Sequence, residues 1–137
     1  MLIFKTSKET INSVVENKKH AFENEPKDWF KGEIALICKN RKDCDKWEKQ
    51  IKYIMIVDNI RFTDNDEVNR LWPGNRNRWN FIVEGSDVKR LSKPFNLNEV
   101  LGKNIPPGFL NQPPYIKLNL IEETIILKHL KSINAIE

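Results

Sequence analysis

The chain opens with an apolar run followed by residues at helical spacing. Leu2–Lys5 predicts a short strand, because four mostly apolar residues precede a polar stretch. Thr6 and Glu9 then have the spacing of a capping box in front of Ile11 and its apolar neighbours Val14 and Val15. We therefore expect a helix from about Ser7 to Lys19.

Two stronger apolar runs follow. Glu33–Lys39 (EIALICK) is entered through Gly32, and Ile51–Ile60 (IKYIMIVDNI) has marked β character. We expect these runs to pair as antiparallel strands. The intervening stretch, NRKDCDKWEKQ, is too long for a tight turn and too polar for a core, so it predicts a loop or a short helical excursion.

The second half of the chain predicts two further strands and two helices. Trp79–Glu84 and Val88–Leu91 flank Gly85-Ser86 and are expected to form a pair of short strands. PFNLNEVLG predicts a strand end that runs into a short helix stopping at Gly102. After an irregular stretch from Ile105 to Pro114, apolar residues near helical spacing predict a closing helix over Ile121–Ile133. The pattern as a whole is that of an α+β domain.

Length and composition narrow the class of protein. A chain of 137 residues fits one domain, so we expect residues 1–137 to be a single unit. Its apolar runs are too short to span a bilayer, and MLIFKTSKET lacks the features of a signal peptide, which indicates a cytoplasmic protein without membrane association. Cys38 and Cys44 stand apart from His20 and His129 in sequence, so no metal site and no cofactor is expected.

Positive charge and aromatic residues are concentrated in one window, Asn69–Lys93. It holds six basic and two acidic residues, a balance of +4 that equals the net charge of the whole chain. The basic residues are Arg70, Arg76, Arg78, Lys89, Arg90 and Lys93. Arginine and lysine suit phosphate, and aromatic faces suit bases, so the window indicates a nucleic-acid surface on an exposed Pro-Gly loop entering a strand. The alternative is that Trp72 and Trp79 belong to the core and the cations are solvated.

The order of these elements resembles the PUA-like superfamily, and its EVE and YTH branches in particular. The resemblance is carried by IFKTSKETINSVVENKKHAF as first strand and helix, by FKGEIALICKN as a strand entered through a Gly-Glu turn, and by VKRLSKPFNLNEVL as the EVE-type strand before a short helix. It implies a small, bent β-barrel flanked by helices, with a pocket that in several relatives receives a flipped, modified base. It also implies a binding module and not an enzyme.

The resemblance suggests where such a pocket would lie. YTH domains carry a cage tryptophan just after the first helix, where this chain has Ala21-Phe22. A base needs apolar faces to stack on and polar groups to read its edge. The candidate base-binding residues are Phe22, Trp29, Trp72, Trp79, Asn24 and Asp28. The six cations of the basic window are the candidate phosphate-binding residues.

Domains of this kind also resemble the N-terminal specificity module of McrB-type modification-dependent restriction NTPases. No GxxxxGK[ST] phosphate loop occurs in the chain, so nucleotide hydrolysis would belong to an attached or associated motor, and cleavage to a nuclease subunit. The sequence therefore predicts a non-catalytic module of a longer protein that recognises DNA bearing a modified base. The alternatives are an RNA-binding domain of the same fold and a protein-interaction module that uses the proline-rich IPPGFLNQPPY segment.

Overall fold

A computed structural model describes residues 1–39, 50–73, 79–103 and 115–137. Six strands and four helices are found in these ranges. In chain order they are β1 (Leu2–Thr6), α1 (Ile11–Asn17), β2 (Lys19–Phe22), β3 (Ile34–Lys39), β4 (Gln50–Phe62), α2 (Asn65–Leu71), β5 (Phe81–Asn96), α3 (Leu97–Leu101), β6 (Tyr115–Lys117) and α4 (Leu120–Ser132).

The strands form one mixed sheet in the order β2-β5-β4-β3-β1-β6. β1 lies parallel to β3, and every other neighbouring pair is antiparallel, including the predicted pair β3 and β4. The sheet is strongly curled, because rings from its outermost strands meet: Phe22 of β2 lies 5.6 Å from Tyr115 of β6 and 5.0 Å from Phe4 of β1, centroid to centroid. The predicted bent barrel flanked by helices is confirmed.

Both sides of the curled sheet are packed. Alternate residues of the strands point to opposite sides, as in Leu2 and Ile3, and each side has its own apolar cluster. One cluster is covered by α3 and α4, which contribute residues such as Leu101 and Ile126. The other is covered by α1 and α2, through Val14 and Val68. β1, β2 and β3 are therefore hydrophobic runs, as expected for strands buried on both faces, whereas the second half of β5 has several exposed positions.

The first helix is shorter than predicted. α1 begins at Ile11, after a turn in which the N–H groups of Thr10 and Ile11 donate to the carbonyl of Ser7, and the predicted Thr6–Glu9 capping box is absent. Thr6 instead ends β1 and its hydroxyl bonds His20. Lys18 ends the helix in the left-handed conformation, at φ 56°, and the residues predicted as its last turn start β2.

The predicted pair of short strands about Gly85-Ser86 is wrong. The chain does not reverse there, and β5 runs as one strand of 16 residues along β4. Gly85 packs so tightly that an added Cβ would lie 2.7 Å from Cγ of Met55. Glycine is therefore required at Gly85 by the close approach of β4 and not by a turn.

The elements after β5 match their predictions closely. α3 follows β5 directly, capped by the Asn96 side chain, and ends at Gly102 with φ 69°. α4 begins one residue earlier than predicted, where Asn119 and Glu122 form a capping box. Sequence analysis missed β2, α2 and β6, which are short elements of four, seven and three residues.

Candidate nucleic-acid interface

Two of the predicted base-binding aromatics lie in the core. Phe22 is 1% exposed, with its ring packed among Phe4, His20 and Tyr115, so no face of it is open to a base. Trp72 is 3% exposed at the end of α2, and the expectation that it stands at an exposed loop apex is wrong. Trp72 is buried between the apolar faces of α2 and the sheet, because burial removes the apolar surface of its indole ring from water.

The other predicted base-binding residues lie nearer the surface. Trp29 and Trp79 are partly buried and pack on the cluster that α1 and α2 cover. The ring of Trp79 meets that of Trp72 edge to face, 5.7 Å apart. Asn24 and Asp28 are exposed, and Asp28 has a positive φ of 58° in the loop before β3. Trp29 and Trp79 thus keep partly open surface, and Trp29 directly follows the exposed Asp28 in the chain.

The structure places the described cations of the basic window on two different elements, α2 and β5. Arg70 is exposed on α2, whereas Lys89, Arg90 and Lys93 are exposed on the second half of β5. Arg76 and Arg78 lie outside the described residues, as do Cys44, Trp47 and the proline-rich segment. α2 is held to the sheet at Arg61, which lies opposite Ile82 on β5, and eight residues separate Ile82 from Arg90. At about 3.3 Å per residue, Ile82 and Arg90 are up to roughly 26 Å apart, so α2 and the cations of β5 lie near different parts of the strand.

The cations of β5 lie on an edge of the sheet. β2 pairs only with Phe81–Glu84 of β5, and beyond these residues β5 has just one neighbour, β4, in the described part of the chain. This section, Gly85–Asn96, is hereafter called the β5 edge. It is irregular: four residues of β5, Leu91–Pro94, stand opposite the single residue Lys52 of β4. Ser92, Lys93 and Pro94 of this bulge are exposed.

The cations of the β5 edge are exposed and have no acidic partner among the described residues, which is also true of Arg70 and Lys27. Within the described ranges, Lys89, Arg90 and Lys93 form no ion pair within 4.0 Å. By contrast, Lys103 lies 2.9 Å from Glu122. Three unneutralised charges within five residues leave a positive potential that attracts an anionic partner.

A structural role for these residues also follows from their position. Lysine, proline and bulges are the features by which proteins prevent a free strand from pairing with a second molecule. Lys89, Lys93 and Pro94 all fit that description. Protection of the edge and attraction of an anion are compatible, because both use exposed, unneutralised cations.

A different polar cluster holds α2 against the sheet. Arg61 donates to both carboxylate oxygens of Glu67 at 2.7 and 2.6 Å, Thr63 donates to Glu67 at 2.6 Å, and Lys19 lies 3.7 Å away. The Arg61 guanidinium, the Thr63 hydroxyl and nearby positive charge lower the pKa of Glu67 to about 2, although partial burial opposes this shift. Glu67 carries a fixed negative charge at neutral pH, so it is suited to anchoring α2 and not to accepting a proton.

His20 and Thr6 have the contacts of a hydroxyl activated by histidine, but in a closed environment. Nε2 of His20 lies 3.0 Å from Oγ1 of Thr6, and Nδ1 lies 3.1 Å from the carbonyl oxygen of Ala21. Both residues are buried, and desolvation lowers the pKa of His20 to about 4, outweighing its two backbone hydrogen bonds. Such a histidine is a weak base out of reach of substrate. The pair instead joins β1 to β2 where the curled sheet closes.

Two further searches of the described residues were negative. No helix there is long and apolar enough to cross a membrane. In the same ranges, no three histidine, cysteine or acidic side chains come together as a metal site would require.

Two surface aromatics were missed by sequence analysis. Tyr53 of β4 lies directly opposite Arg90 in the register and is partly exposed. Phe62, at the end of β4, is 71% exposed and meets Phe81 edge to face. Tyr53 lies within the apolar run Ile51–Ile60 that predicts β4, and Phe62 lies two residues beyond its end, so neither stood out from the residues that predict the strand.

Comparison with known proteins supports the fold. No protein-family model matches the chain, and no curated protein matches it. The solved structure of ASCH from Zymomonas mobilis is similar, with a TM-score of 0.60 over 93% of both chains at 13% sequence identity. A serine-to-alanine variant of that protein gives 0.60, over 93% of this chain and 94% of the variant, at 14% identity. A tyrosine-to-phenylalanine variant gives 0.54, over 93% and 96%, at 12% identity.

At this identity the likeness concerns the fold alone. The fold that the two proteins share is a small α+β domain with a curled sheet flanked by helices, so the predicted fold class is confirmed. The EVE, YTH and McrB-type branches stay predictions.

Proposed function

We propose that this PUA-like domain binds nucleic acid, with the β5 edge as its main phosphate contact. The observation that carries the proposal is the group Lys89, Arg90 and Lys93, exposed on an unpaired strand edge and without acidic partners in the described structure. The likeness to an ASCH domain supports it, since PUA-like domains are typically nucleic-acid-binding modules.

The physical basis is electrostatic. Each cation that contacts a phosphate releases condensed counterions, so the logarithm of the binding constant falls with the logarithm of salt concentration by about 0.7 to 0.9 per contact. Three contacts would therefore contribute about 2 to 3 units of slope. An acidic residue paired with one of these cations would reduce this salt dependence. No such pair is found among the described residues.

The test is a triple substitution, Lys89→Gln, Arg90→Gln and Lys93→Gln. We expect it to weaken every nucleic acid that the domain binds and to reduce the salt slope by about 2 units. The matched control, Lys27→Gln, Lys128→Gln and Lys131→Gln, removes the same charge from exposed positions in other elements. Equal losses in both variants would show that only net charge matters, and an unchanged slope would remove the β5 edge from the interface.

The finer form of the proposal is recognition of a modified base in DNA, as the targeting module of an McrB-type restriction system. Partly buried Trp29 and Trp79, near the exposed Asn24 and Asp28, support it as the remaining candidates for a base site. Trp29→Ala and Trp79→Ala should then abolish any preference for modified over plain DNA while leaving the salt slope unchanged, because they remove no charge. An intact preference in both variants would contradict this site.

RNA is the alternative ligand, since the same cations suit either backbone. The binding affinities of a panel of DNA and RNA oligonucleotides, measured at two salt concentrations, distinguish DNA from RNA as the ligand. We further propose that the domain acts without catalysis, which the burial of His20 supports. Turnover of an oligonucleotide by the pure domain, lost on His20→Ala in a folded variant, would contradict that proposal.

A further inference from the structure

Tyr53 and Arg90 form a mixed aromatic and cationic pair across β4 and β5. They are direct partners in the antiparallel register, and such partners point to the same side with Cβ atoms about 4.5 to 5.5 Å apart. Tyr53 is partly exposed and rests on the cluster that contains Phe4 and Ile37. Arg90 is exposed. A supported ring therefore stands beside a guanidinium that has no ion-pair partner in the described chain.

The neighbouring bulge adds a further cation to this pair. Ile51 pairs with Phe95 and Tyr53 with Arg90, so Leu91–Pro94 must loop out opposite Lys52. Bulges re-aim side chains and are common next to functional sites. Lys93 lies in the bulge and adds an exposed positive charge beyond Arg90, whereas Lys89 pairs with Ile54 and points to the opposite side of the sheet.

We propose that Tyr53 and Arg90 bind one unpaired nucleotide, with the base stacked on the Tyr53 ring and its phosphate on Arg90. Lys93 then holds an adjoining phosphate. The ligand class is single-stranded nucleic acid, or a single-stranded segment of a larger one. This inference rests on the proposed nucleic-acid-binding function and narrows it.

The geometry favours an unpaired strand over a duplex. Stacking on a side chain needs a free base face, which a base inside a duplex does not offer without extrusion at a cost of a few kcal/mol. The recognition elements also lie along one strand edge, where Arg90 and Lys93 are at most about 10 Å apart. That span suits successive phosphates of one backbone.

The same geometry disfavours a peptide added to the edge. Strand addition needs a continuous row of free backbone groups. The bulge at Leu91–Pro94, the proline within it and the register shift between Ile56 and Val57 interrupt that row. Only a few residues around Val88 remain in regular pairing with β4, so nucleic acid is the occupant that the edge fits.

The experiment compares single-stranded and duplex oligonucleotides of equal sequence, as both DNA and RNA, against wild type and Tyr53→Leu. Leucine keeps an apolar contact with the core but removes the stacking ring. We expect wild type to prefer the single strand, and Tyr53→Leu to weaken that binding by about 5- to 100-fold, the range of one base-aromatic stack. Tyr53→Phe should bind like wild type. Tyr115→Leu, at a partly buried tyrosine of β6, is the matched control and should leave binding unchanged.

Each outcome is decisive. Equal or tighter duplex binding, or full single-strand binding by a folded Tyr53→Leu, overturns the inference while the proposed function stands. Absence of binding to every oligonucleotide by wild type overturns the proposed function itself. If Tyr53→Leu does not fold, Arg90→Gln replaces it, since an exposed side chain can be changed without loss of core packing. It should weaken single-strand binding more than the control Arg70→Gln, and equal effects would overturn the inference.

Discussion

Removing the Glu67 carboxylate should release α2 from the sheet and make the domain less stable. In Glu67→Gln, Arg61 loses a two-point ionic contact at 2.6 and 2.7 Å and keeps only the carboxylate of Glu84, 3.1 Å from its Nε. Thr63, which is buried, loses a charged acceptor at 2.6 Å. The effect is on stability and should leave the β5 edge unchanged.

The magnitude follows from the pKa. A fall in the pKa of Glu67 from 4.5 to about 2 corresponds to about 3 kcal/mol of folding free energy at neutral pH. The side chains of Glu67 and Arg61 are 19% and 33% exposed, so solvent screens part of this energy. We expect a loss of about 2 kcal/mol, or about 6 °C in melting temperature for a domain of this size.

The sign of the pH dependence is fixed by the direction of the shift. A carboxyl group whose pKa is lowered on folding stabilises the protein above its unfolded pKa, and this contribution disappears as pH falls through the folded value. The difference between wild type and Glu67→Gln should therefore be full at about pH 7 and shrink from about pH 5 to about pH 2, where the wild-type carboxyl is protonated.

Urea unfolding of both proteins at several pH values measures this difference directly. Asp66→Asn is the matched control, because it removes an exposed charge from the same helix and should cost no more than about 0.5 kcal/mol. The assignment of Glu67 as the anchor of α2 would be refuted if Glu67→Gln lowered the free energy of unfolding equally at every pH. It would also be refuted if the loss were no larger than that of the control.

Two predictions concern packing. Trp72→Ala should cost about 3 to 5 kcal/mol of unfolding free energy, measured in urea, because a nearly buried indole is removed; a loss below about 1 kcal/mol would place Trp72 at the surface as the sequence suggested. Gly85→Val should lower stability by about 1 to 3 kcal/mol, since its Cβ would meet Met55 at 2.7 Å, and Met55→Ala should therefore cost less in Gly85→Val than in wild type.

Sequence was a good guide where local signals decide the structure. The β-branched run of β4 and the Asn96 and Gly102 boundaries of α3 specify their elements through neighbouring residues alone. The length and charge of the chain likewise predict one basic domain, which stays a prediction. None of these features requires knowledge of which strands become neighbours.

Sequence was a poor guide where distant residues decide. The sequence around Gly85 predicts a turn. Gly85 nevertheless lies in the middle of β5, where it packs against Met55, 30 positions earlier in the chain. Trp72 follows a short helix and precedes a Pro-Gly pair, but the sheet beneath α2 buries it. Propensity describes the local backbone, and such contacts can override it.

The candidate site shows the same division. The sequence by itself determined that positive charge is concentrated between Arg70 and Lys93 and that the barrel is PUA-like in pattern. Only the tertiary structure decided that β2 covers the first four residues of β5, that Lys89, Arg90 and Lys93 lie where β5 has no second neighbour among the described strands, and that Tyr53 lies opposite Arg90. The physical reason is register: which residues face one another across a sheet depends on pairing and bulges between strands that are far apart in the chain.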